Sequence, residues 1–515
     1  MKNSLLTFGA LCILVSFSCI SIAKEVKKAG SKPNIIFILA DDLGYGDLGC
    51  YGQEKIETPN IDQLAAKGMR FTQFYSGAPV CAPARAMLLT GMHSGKSQVR
   101  GNDEWNERGN VRDYRAMLAD FSLEGQRPLA AGTLTIARQL QSVGYKTAVV
   151  GKWGLGAPHT DGVPNKQGFD FFLGYNCQRM AHTYYPTHLW KNSNKYHLKN
   201  DTVAPHTPLA DGADPYDINS YKAYNLKDYA PEVMFNEMSQ FVKDNKSNPF
   251  FLYWASIIPH LPLQATKSWV DYYVAKFGDE EPYAGVKTRG GYFPCRYPRA
   301  TYAAMISYFD EQVGKLVQQL KDLGLYENTL IIFTSDNGPI GSYAPWFKSA
   351  GPFRNETGFM KGSINEGGIR VPMIATWPGV IKSGSVSEHK AAFYDVMPTL
   401  GEVAGYKTPK TASGLSFLPA LKGKKQKSPE FLYWEFPSGG GQIAVRIGDM
   451  KALRKKMDTE NSKWELYDIK KDPEERNDIS ALHPEIIKEA EKVVAREHTK
   501  SDNPHWQFKI LGDIR

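Results

Sequence analysis

Short apolar runs and longer amphipathic segments alternate along the chain. The first apolar run covers 34–40 and ends at Asp41 and Asp42. A run without polar interruptions is typical of a strand that is buried on both faces of a parallel sheet. Further strands are predicted at 69–75, 146–150, 250–255 and 329–334.

The amphipathic segments predict helices between these strands. In the first segment Thr58 is the expected cap, Pro59 lies in the first turn and Gly68 follows the end, which is the usual order of helix signals. Helices are predicted at 58–67, 135–143, 231–244 and 299–323. Because helices and apolar strands alternate, the sequence predicts an α/β fold with a large, mainly parallel sheet sandwiched by helices.

The pattern changes beyond about residue 410. A lysine-rich stretch at 422–427 is interpreted as a solvated loop. Short strand-like runs follow it, and a final helix is predicted at 484–498. We interpret this region as a smaller antiparallel sheet plus a helix, with runs near Phe431, Gln442, Met450 and Trp464. The predicted organisation is a main domain over 33–410 and a small C-terminal α+β subdomain over 411–515.

The amino end has the features of a secretory signal. Lys2 precedes an apolar stretch that closes with small residues up to Ala23, so we predict a signal peptide over 1–23 and an exported protein, periplasmic or secreted. Two alternatives stay open: lipidation of Cys19, or retention of the stretch as an anchor. No later segment approaches the length of a membrane span, so we expect no integral membrane domain.

Composition excludes disordered and fibrous classes of protein. The 515 residues are 42% hydrophobic and 23% charged, and 62 Lys and Arg against 54 Asp and Glu give a net charge of +8. This charge would mildly favour an anionic substrate but is equally what a solvated surface gives, and we expect no nucleic-acid partner. Cleavage after Ala23 would leave four cysteines, which is too few for disulfide bonds to determine the fold of a chain of this length.

Charged side chains follow the predicted strands. Asp41, Lys152, His260 and Asp336 each come soon after the carboxyl end of a strand, the edge at which open α/β sheets bind ligands. The sequence therefore predicts that these side chains converge in one site.

Two of the strand ends carry oxygen donors. Asp41 and Asp42 follow the first strand, and Asp336 and Asn337 follow a later one. An all-oxygen set suits Ca²⁺, whereas Zn²⁺ prefers His or Cys and Mg²⁺ keeps more water. Taken singly, each pair is also compatible with a turn or a helix cap.

A more specific pattern follows at Cys81-Ala82-Pro83-Ala84-Arg85, with Leu89-Thr90-Gly91 behind it. It resembles the signature at which formylglycine is made in type I sulfatases of the alkaline phosphatase superfamily. The resemblance spans about 33 to 478 and includes, in the family's order, Gly151-Lys152-Trp153, Pro259-His260-Leu261-Pro262, Ser335-Asp336-Asn337-Gly338, Lys361-Gly362-Ser363 and Glu366-Gly367-Gly368-Ile369-Arg370-Val371-Pro372.

The resemblance implies hydrolysis of sulfate esters on a carbohydrate, of the galactose or N-acetylgalactosamine type. It implies a nucleophile made from Cys81 by a formylglycine-generating enzyme and used as a geminal diol that loses a proton to Asp336. Arg85, Lys152 and Lys361 would hold the sulfuryl oxygens, and His260 or Lys361 would protonate the leaving alcohol. The implied ligands of Ca²⁺ are Asp41, Asp42, Cys81, Asp336 and Asn337.

The chain departs from the family pattern at one chemically important position. The family often has Gly-Lys-Trp-His-Leu-Gly, where the histidine binds sulfate and is proposed to accept a proton, but this chain has Gly154 there. His182 is our candidate to replace that base; the alternatives for it are a loop histidine with satisfied hydrogen bonds or a contact to the leaving group. We also predict that Arg100, Asn102 and His182 contact the substrate. Ala84, where many relatives have Ser, leaves Cys81, Pro83 and Arg85 of the motif intact.

Two other functions stay open on the sequence. A phosphatase or phosphodiesterase of the same superfamily would share the sheet, but it usually has a Ser or Thr nucleophile and two zinc ions. An unmatured protein that only binds sulfated glycans would keep an unmodified Cys81.

Overall fold

The computed structural model describes residues 32–285, 291–341 and 343–513. The predicted signal peptide over 1–23 and Cys19 lie outside these ranges. Inside them, no helix combines the length and the apolar character that crossing a membrane requires. The four cysteines in these ranges are free thiols.

The strands of the described residues are β1 (Asn34–Ala40), β2 (Met69–Phe71), β3 (Phe74–Tyr75), β4 (Lys146–Lys152), β5 (Phe171–Tyr175), β6 (His188–Lys191), β7 (Asn194–His197), β8 (Phe250–Ala255), β9 (Thr329–Ser335), β10 (Met373–Thr376), β11 (Ser385–Ser387), β12 (Ala391–Ala392), β13 (Leu432–Phe436), β14 (Gln442–Ile447), β15 (Met450–Lys455) and β16 (Trp464–Asp468). The α-helices are α1 (Pro59–Lys67), α2 (Cys81–Thr90), α3 (Tyr114–Ala119), α4 (Ile136–Ser142), α5 (Ala230–Asp244), α6 (Lys267–Phe277), α7 (Pro298–Asp322), α8 (Ala344–Phe347), α9 (Glu366–Ile369), α10 (Val396–Ala404), α11 (Leu418–Leu421) and α12 (Pro484–Glu497).

The described strands build one large sheet and two smaller ones. Ten strands form the large sheet in the order β11-β2-β10-β9-β1-β8-β4-β5-β6-β7. Its five central strands, from β9 to β5, are parallel to their neighbours, whereas β10, β6 and β7 pair antiparallel towards the edges. The prediction of a mainly parallel sheet is confirmed.

The central strand β1 explains why both faces of the sheet are covered. Ile36 and Ile38 point to one apolar cluster, which includes Leu316 of α7. Phe37 points to the opposite cluster, which includes Leu140 of α4. Because successive side chains of a strand alternate between faces, an uninterrupted apolar run buries itself only between two helical layers. The predicted sandwich is therefore confirmed.

The strand predicted over 69–75 is divided into β2 and β3, which belong to different sheets. The interruption lies at Thr72, whose carbonyl oxygen accepts hydrogen bonds from Nε and Nη2 of Arg370 at 2.8 and 2.6 Å. A backbone carbonyl held by a guanidinium no longer serves a strand ladder, and the chain changes sheets there.

The C-terminal part forms the predicted antiparallel sheet, in the order β13-β14-β15-β16. Helix α12 covers it, with Val493 and Val494 packed in one apolar cluster with Ile443 and Leu466. The predicted domain boundary near residue 410 stays a prediction.

Candidate active site

The polar residues that follow β1 and β9 meet at the carboxyl edge of the sheet. The amide of Asp336 donates to the carbonyl of Ala40 at 3.0 Å, which extends the β1–β9 pairing past the strands. Asp42 has a left-handed backbone with φ of 66°, and its amide donates to Oδ1 of Asp336 at 3.1 Å. The turn after β1 therefore places the carboxylates of Asp41 and Asp42 beside the carboxylate of Asp336 and the amide of Asn337, which follow β9.

Cys81 is the first residue of α2 and is only 1% exposed. Its Sγ lies 3.3 Å from Oδ1 of Asp41 and 3.5 Å from Nζ of Lys361. Burial raises the pKa of the thiol, and the carboxylates of Asp336 and Asp41 raise it further. The unmodified sulfur is therefore a protonated thiol, which is a poor nucleophile.

Three cations surround this position. Arg85, one turn along α2, donates from Nε and Nη2 to Oδ2 of Asp336 at 3.1 and 2.9 Å. Nζ of Lys152 lies 2.7 Å from Oδ2 of Asp41, and Nζ of Lys361 lies 2.7 Å from Oδ1 of Asp42. Each cation is paired with a buried carboxylate, so its charge is held in place beside Cys81.

Four buried side chains are grouped closely enough to hold a cation. One ligand atom each from Asp41, Asp42, Cys81 and His260 lies within 4.8 Å of the others. Nδ2 of Asn337 donates to Oδ1 of Asp42 at 2.7 Å, but Oδ1 of Asn337 is buried and has no hydrogen-bond partner among the residues that the structure describes. A buried acceptor with no donor is costly unless a positive group faces it, so this position suits a cation.

His260 is oriented by its own segment of chain. Its Nδ1 lies 2.6 Å from the carbonyl oxygen of Leu261 and must donate to it, so Nε2 faces Asp42 at 3.6 Å. Burial and the nearby Lys361 lower the pKa of His260 to about 4. The imidazole in this structure is therefore neutral, with the lone pair of Nε2 directed into the site.

His182 lies beside His260, with ring centroids 5.4 Å apart and planes 16° apart. His206 donates from Nδ1 to the carbonyl of Gly291, so its Nε2 accepts from Nδ1 of His182 at 3.1 Å. Because Nδ1 of His182 carries the proton in this bond, Nε2 of His182 is an acceptor. It has no hydrogen-bond partner among the described residues. The structure thus brings the predicted replacement base next to His260.

Gln178 was missed by sequence reasoning. A Cβ atom on Gly154 would lie 2.6 Å from Nε2 and 2.7 Å from Cγ of Gln178, so the glutamine fills the space of the absent side chain. Gln178 is 6% exposed, and none of the described residues forms a hydrogen bond with its Nε2. The one sequence signal was the missing histidine itself, because nothing in the spacing connects residue 154 with residue 178.

Arg100 and Asn102 have partners within the protein. Arg100 is buried and donates to Oε2 of Glu435 at 3.2 Å and to Oγ1 of Thr499 at 2.9 Å. Oδ1 of Asn102 accepts from the amide of Ala82 at 3.0 Å, which satisfies a free donor at the start of α2. Their predicted contact with substrate stays a prediction, and the hydrogen bonds of Arg100 in this structure all run to protein atoms.

The fold and the chemistry at this edge define a class of protein, the hydrolases of anionic esters. The family described as Sulfatase matches residues 33–406, more than half of the chain. The chain therefore belongs to the sulfatase family and is a hydrolase of sulfate esters. The C-terminal region described for N-sulphoglucosamine sulphohydrolase matches residues 356–500.

Individual proteins agree with this assignment. Arylsulfatase A of Homo sapiens is 34% identical over 443 residues, which cover 82% of this chain and 74% of the relative. N-acetylgalactosamine-6-sulfatase of Canis lupus familiaris is 32% identical, covering 82% of this chain and 72% of the relative. The crystal structure of Ps i-CgsB with k-i-k-neocarrahexaose superposes with a TM-score of 0.69 at 28% identity, covering 92% of this chain and 95% of that one.

Proposed function

We propose that this sulfatase removes sulfate from a carbohydrate of the galactose or N-acetylgalactosamine type, using formylglycine made from Cys81 and a calcium ion. The observation that carries the proposal is the position of Cys81 at the start of α2, with Sγ within 3.5 Å of both Asp41 and Lys361. The substrate class is supported by the N-acetylgalactosamine-6-sulfatase relative and by the neocarrahexaose bound to Ps i-CgsB.

Residue 81 must be modified because a sulfate ester repels anionic nucleophiles and the thiol is protonated. Formylglycine would supply a hydrated aldehyde with two hydroxyl groups, one to attack sulfur and one to release sulfate afterwards. Calcium would be held by Asp41, Asp42, Asp336, Asn337 and residue 81, and would supply positive charge beside the attacking oxygen.

The chain's own side chains then bind the sulfate and move protons. Arg85, Lys152 and Lys361 offset the charge on the sulfuryl oxygens, and Asp336 accepts the proton of the attacking hydroxyl. Asp42 holds Lys361 in its charged form, since its carboxylate raises the pKa of that lysine against the opposite effect of burial. Lys361 therefore carries a proton for the leaving alcohol, whereas Nε2 of His260 must first gain one.

Two side chains divide the task of the histidine that is absent at Gly154. Nε2 of His182 supplies the acceptor for the proton released when the sulfated intermediate breaks down. The unpaired Nε2 of Gln178 supplies a hydrogen bond to sulfate from the space that the family histidine would fill.

The maturation step is tested by mass spectrometry of the peptide that contains residue 81. We expect the mass of formylglycine in protein from the native source, and from a host that has a formylglycine-generating enzyme, but the mass of cysteine without that enzyme. An unmodified thiol in the native source would contradict the proposal and favour a protein that only binds glycans.

Turnover is tested with Cys81→Ser in the same host. Because serine offers a single oxygen, the sulfated intermediate has no second hydroxyl to release sulfate, and we expect steady-state hydrolysis of an aryl sulfate to be abolished. Full steady-state activity of this variant would refute the proposed nucleophile. A panel of sulfated monosaccharides then identifies the sugar.

We also propose that the protein is exported, to the periplasm or beyond the cell. Removal of 1–23, seen as a processed amino terminus in protein from the native source, tests this part.

A further inference from the structure

A cleft of about 490 Å³ opens beside the histidine pair of the active site. Its lining includes His206, the partner of His182, together with Arg112, Arg115 and Arg179. The volume lies in the range of ligand pockets. The cleft is therefore large enough for part of a sugar, and three of the nine residues that line it are arginines.

The charges of this cleft are poorly compensated. Among the described residues, no carboxylate lies within ion-pair distance of Arg112 or Arg115, and both side chains are exposed. Arg179 has one acidic partner, Glu104, at 3.4 Å. The one carboxylate in the lining, Asp113, uses Oδ1 to cap α3 through the amides of residues 115 and 116.

Two imidazole rings connect the cleft with the reacting centre. His206 bonds His182 at 3.1 Å, and His182 stacks on His260. A sugar chain whose sulfated residue lies at Cys81, and which passes these rings, would bring its neighbouring sugar to the arginines. Guanidinium groups recognise planar or tetrahedral anions through paired N–H donors.

We propose that this cleft is a second anion subsite, which binds a sulfate or carboxylate on the sugar next to the one that is hydrolysed. The inference rests on the proposed function and deepens it. It makes the substrate a glycan with anionic groups on successive sugars. A neutral neighbour would leave the charges of Arg112 and Arg115 without partners.

Binding is measured by titration calorimetry with Cys81→Ala, which does not turn substrate over. The probes are a monosulfated galactose, a disulfated galactose disaccharide and a monosulfated disaccharide that carries a uronate. We expect at least one of the two doubly charged probes to bind more tightly than the monosaccharide. Adding R112A and R115A should reduce that preference by about tenfold, the scale of a lost charge-assisted pair. Which disaccharide loses affinity identifies sulfate or carboxylate as the ligand.

A matched control removes two exposed lysines elsewhere, with K424A and K425A in the same background. This control should keep the preference, because it removes the same net charge away from the cleft. The inference is overturned if neither doubly charged probe binds more tightly than the monosaccharide, if the arginine variants keep the preference, or if the lysine control loses it equally. Hydrolysis of the monosulfated galactose by matured wild-type protein tests the proposed function separately.

Discussion

At the scale of single residues, position 154 shows how a neighbouring side chain fills the space in front of a glycine. Gly154 has a left-handed backbone with φ of 74°, which a histidine adopts only with strain. The space in front of it is filled by Gln178. The positive φ of Gly154 and the position of Gln178 therefore both disfavour a larger residue at 154. A substitution of Gly154 by histidine would strain the backbone and clash with Gln178.

Gln178→Ala tests the proposed role of the amide. A hydrogen bond to a charged group contributes about 1.5 kcal/mol, and its loss should lower kcat/KM for an aryl sulfate by about tenfold. Because Nε2 has no hydrogen-bond partner in the described part of the chain, the thermal midpoint should change much less than the activity. The exposed Gln141→Ala serves as the control and should leave both unchanged. Wild-type kcat/KM in Gln178→Ala would contradict the role.

At the scale of elements, the ends of β1 and β9 act as one unit. Their pairing continues through the amide of Asp336 to the carbonyl of Ala40, so the following residues are fixed relative to each other. A metal ligand on such a rigid edge is held by the sheet rather than by a loop. Asn337 belongs to this edge, and within the described ranges its Oδ1 has no hydrogen-bond partner.

Asn337→Ala therefore tests the proposed calcium site. We expect Ca²⁺ affinity, titrated calorimetrically into EDTA-treated protein, to fall by about tenfold or more, as metal sites respond to the loss of a supporting group. Calcium should also raise the thermal midpoint of the variant less than that of the wild type. Asn194→Ala, an exposed asparagine on β7, should bind as the wild type does. Unchanged affinity in Asn337→Ala would exclude this residue from the site.

Some of these elements could be predicted from the sequence and others could not. The strands β1, β4, β8 and β9 and the polar residues behind them were predictable, because period and position along a parallel sheet are local properties. The division of 69–75 was not, because it depends on Arg370, about three hundred residues away. Gln178 was missed for the same reason, since its role exists only once β4 and the segment after β5 are side by side.

At the scale of the whole molecule, the segment after α12 is hydrogen-bonded to the segment that follows α2. After α12, the amide of Thr499 donates to the carbonyl of Gly95 at 3.0 Å. The carboxylate of Glu435, buried in β13, receives Arg100 at 3.2 Å and His498 at 2.8 Å. The small C-terminal sheet is thus tied to residues that follow α2, and so to the active-site helix.

The His498 contact predicts a dependence of stability on pH. Burial lowers the pKa of His498, but the carboxylates of Glu435 and Asp513 outweigh it, and the pKa is raised above 6.5. The stabilisation is therefore complete below the unfolded value and is lost as the pH rises through the raised pKa. Compared with His498→Gln, the wild type should have its largest advantage in thermal midpoint near about pH 6 and a smaller one near about pH 9.

The control for this pH dependence is His505→Gln, at an exposed histidine of the same segment, which should track the wild type at both pH values. A constant difference between wild type and His498→Gln across the range would show that the residue contributes packing and not charge.

The burial of Cys81 has a consequence for the order of events in the cell. A sulfur that is 1% exposed beneath folded chain is out of reach of another enzyme's active site. The proposed oxidation must therefore take place before the chain has folded, so each newly made molecule can be modified only between its synthesis and the completion of folding. A maturation enzyme supplied after synthesis has stopped would therefore leave the already folded molecules unmodified.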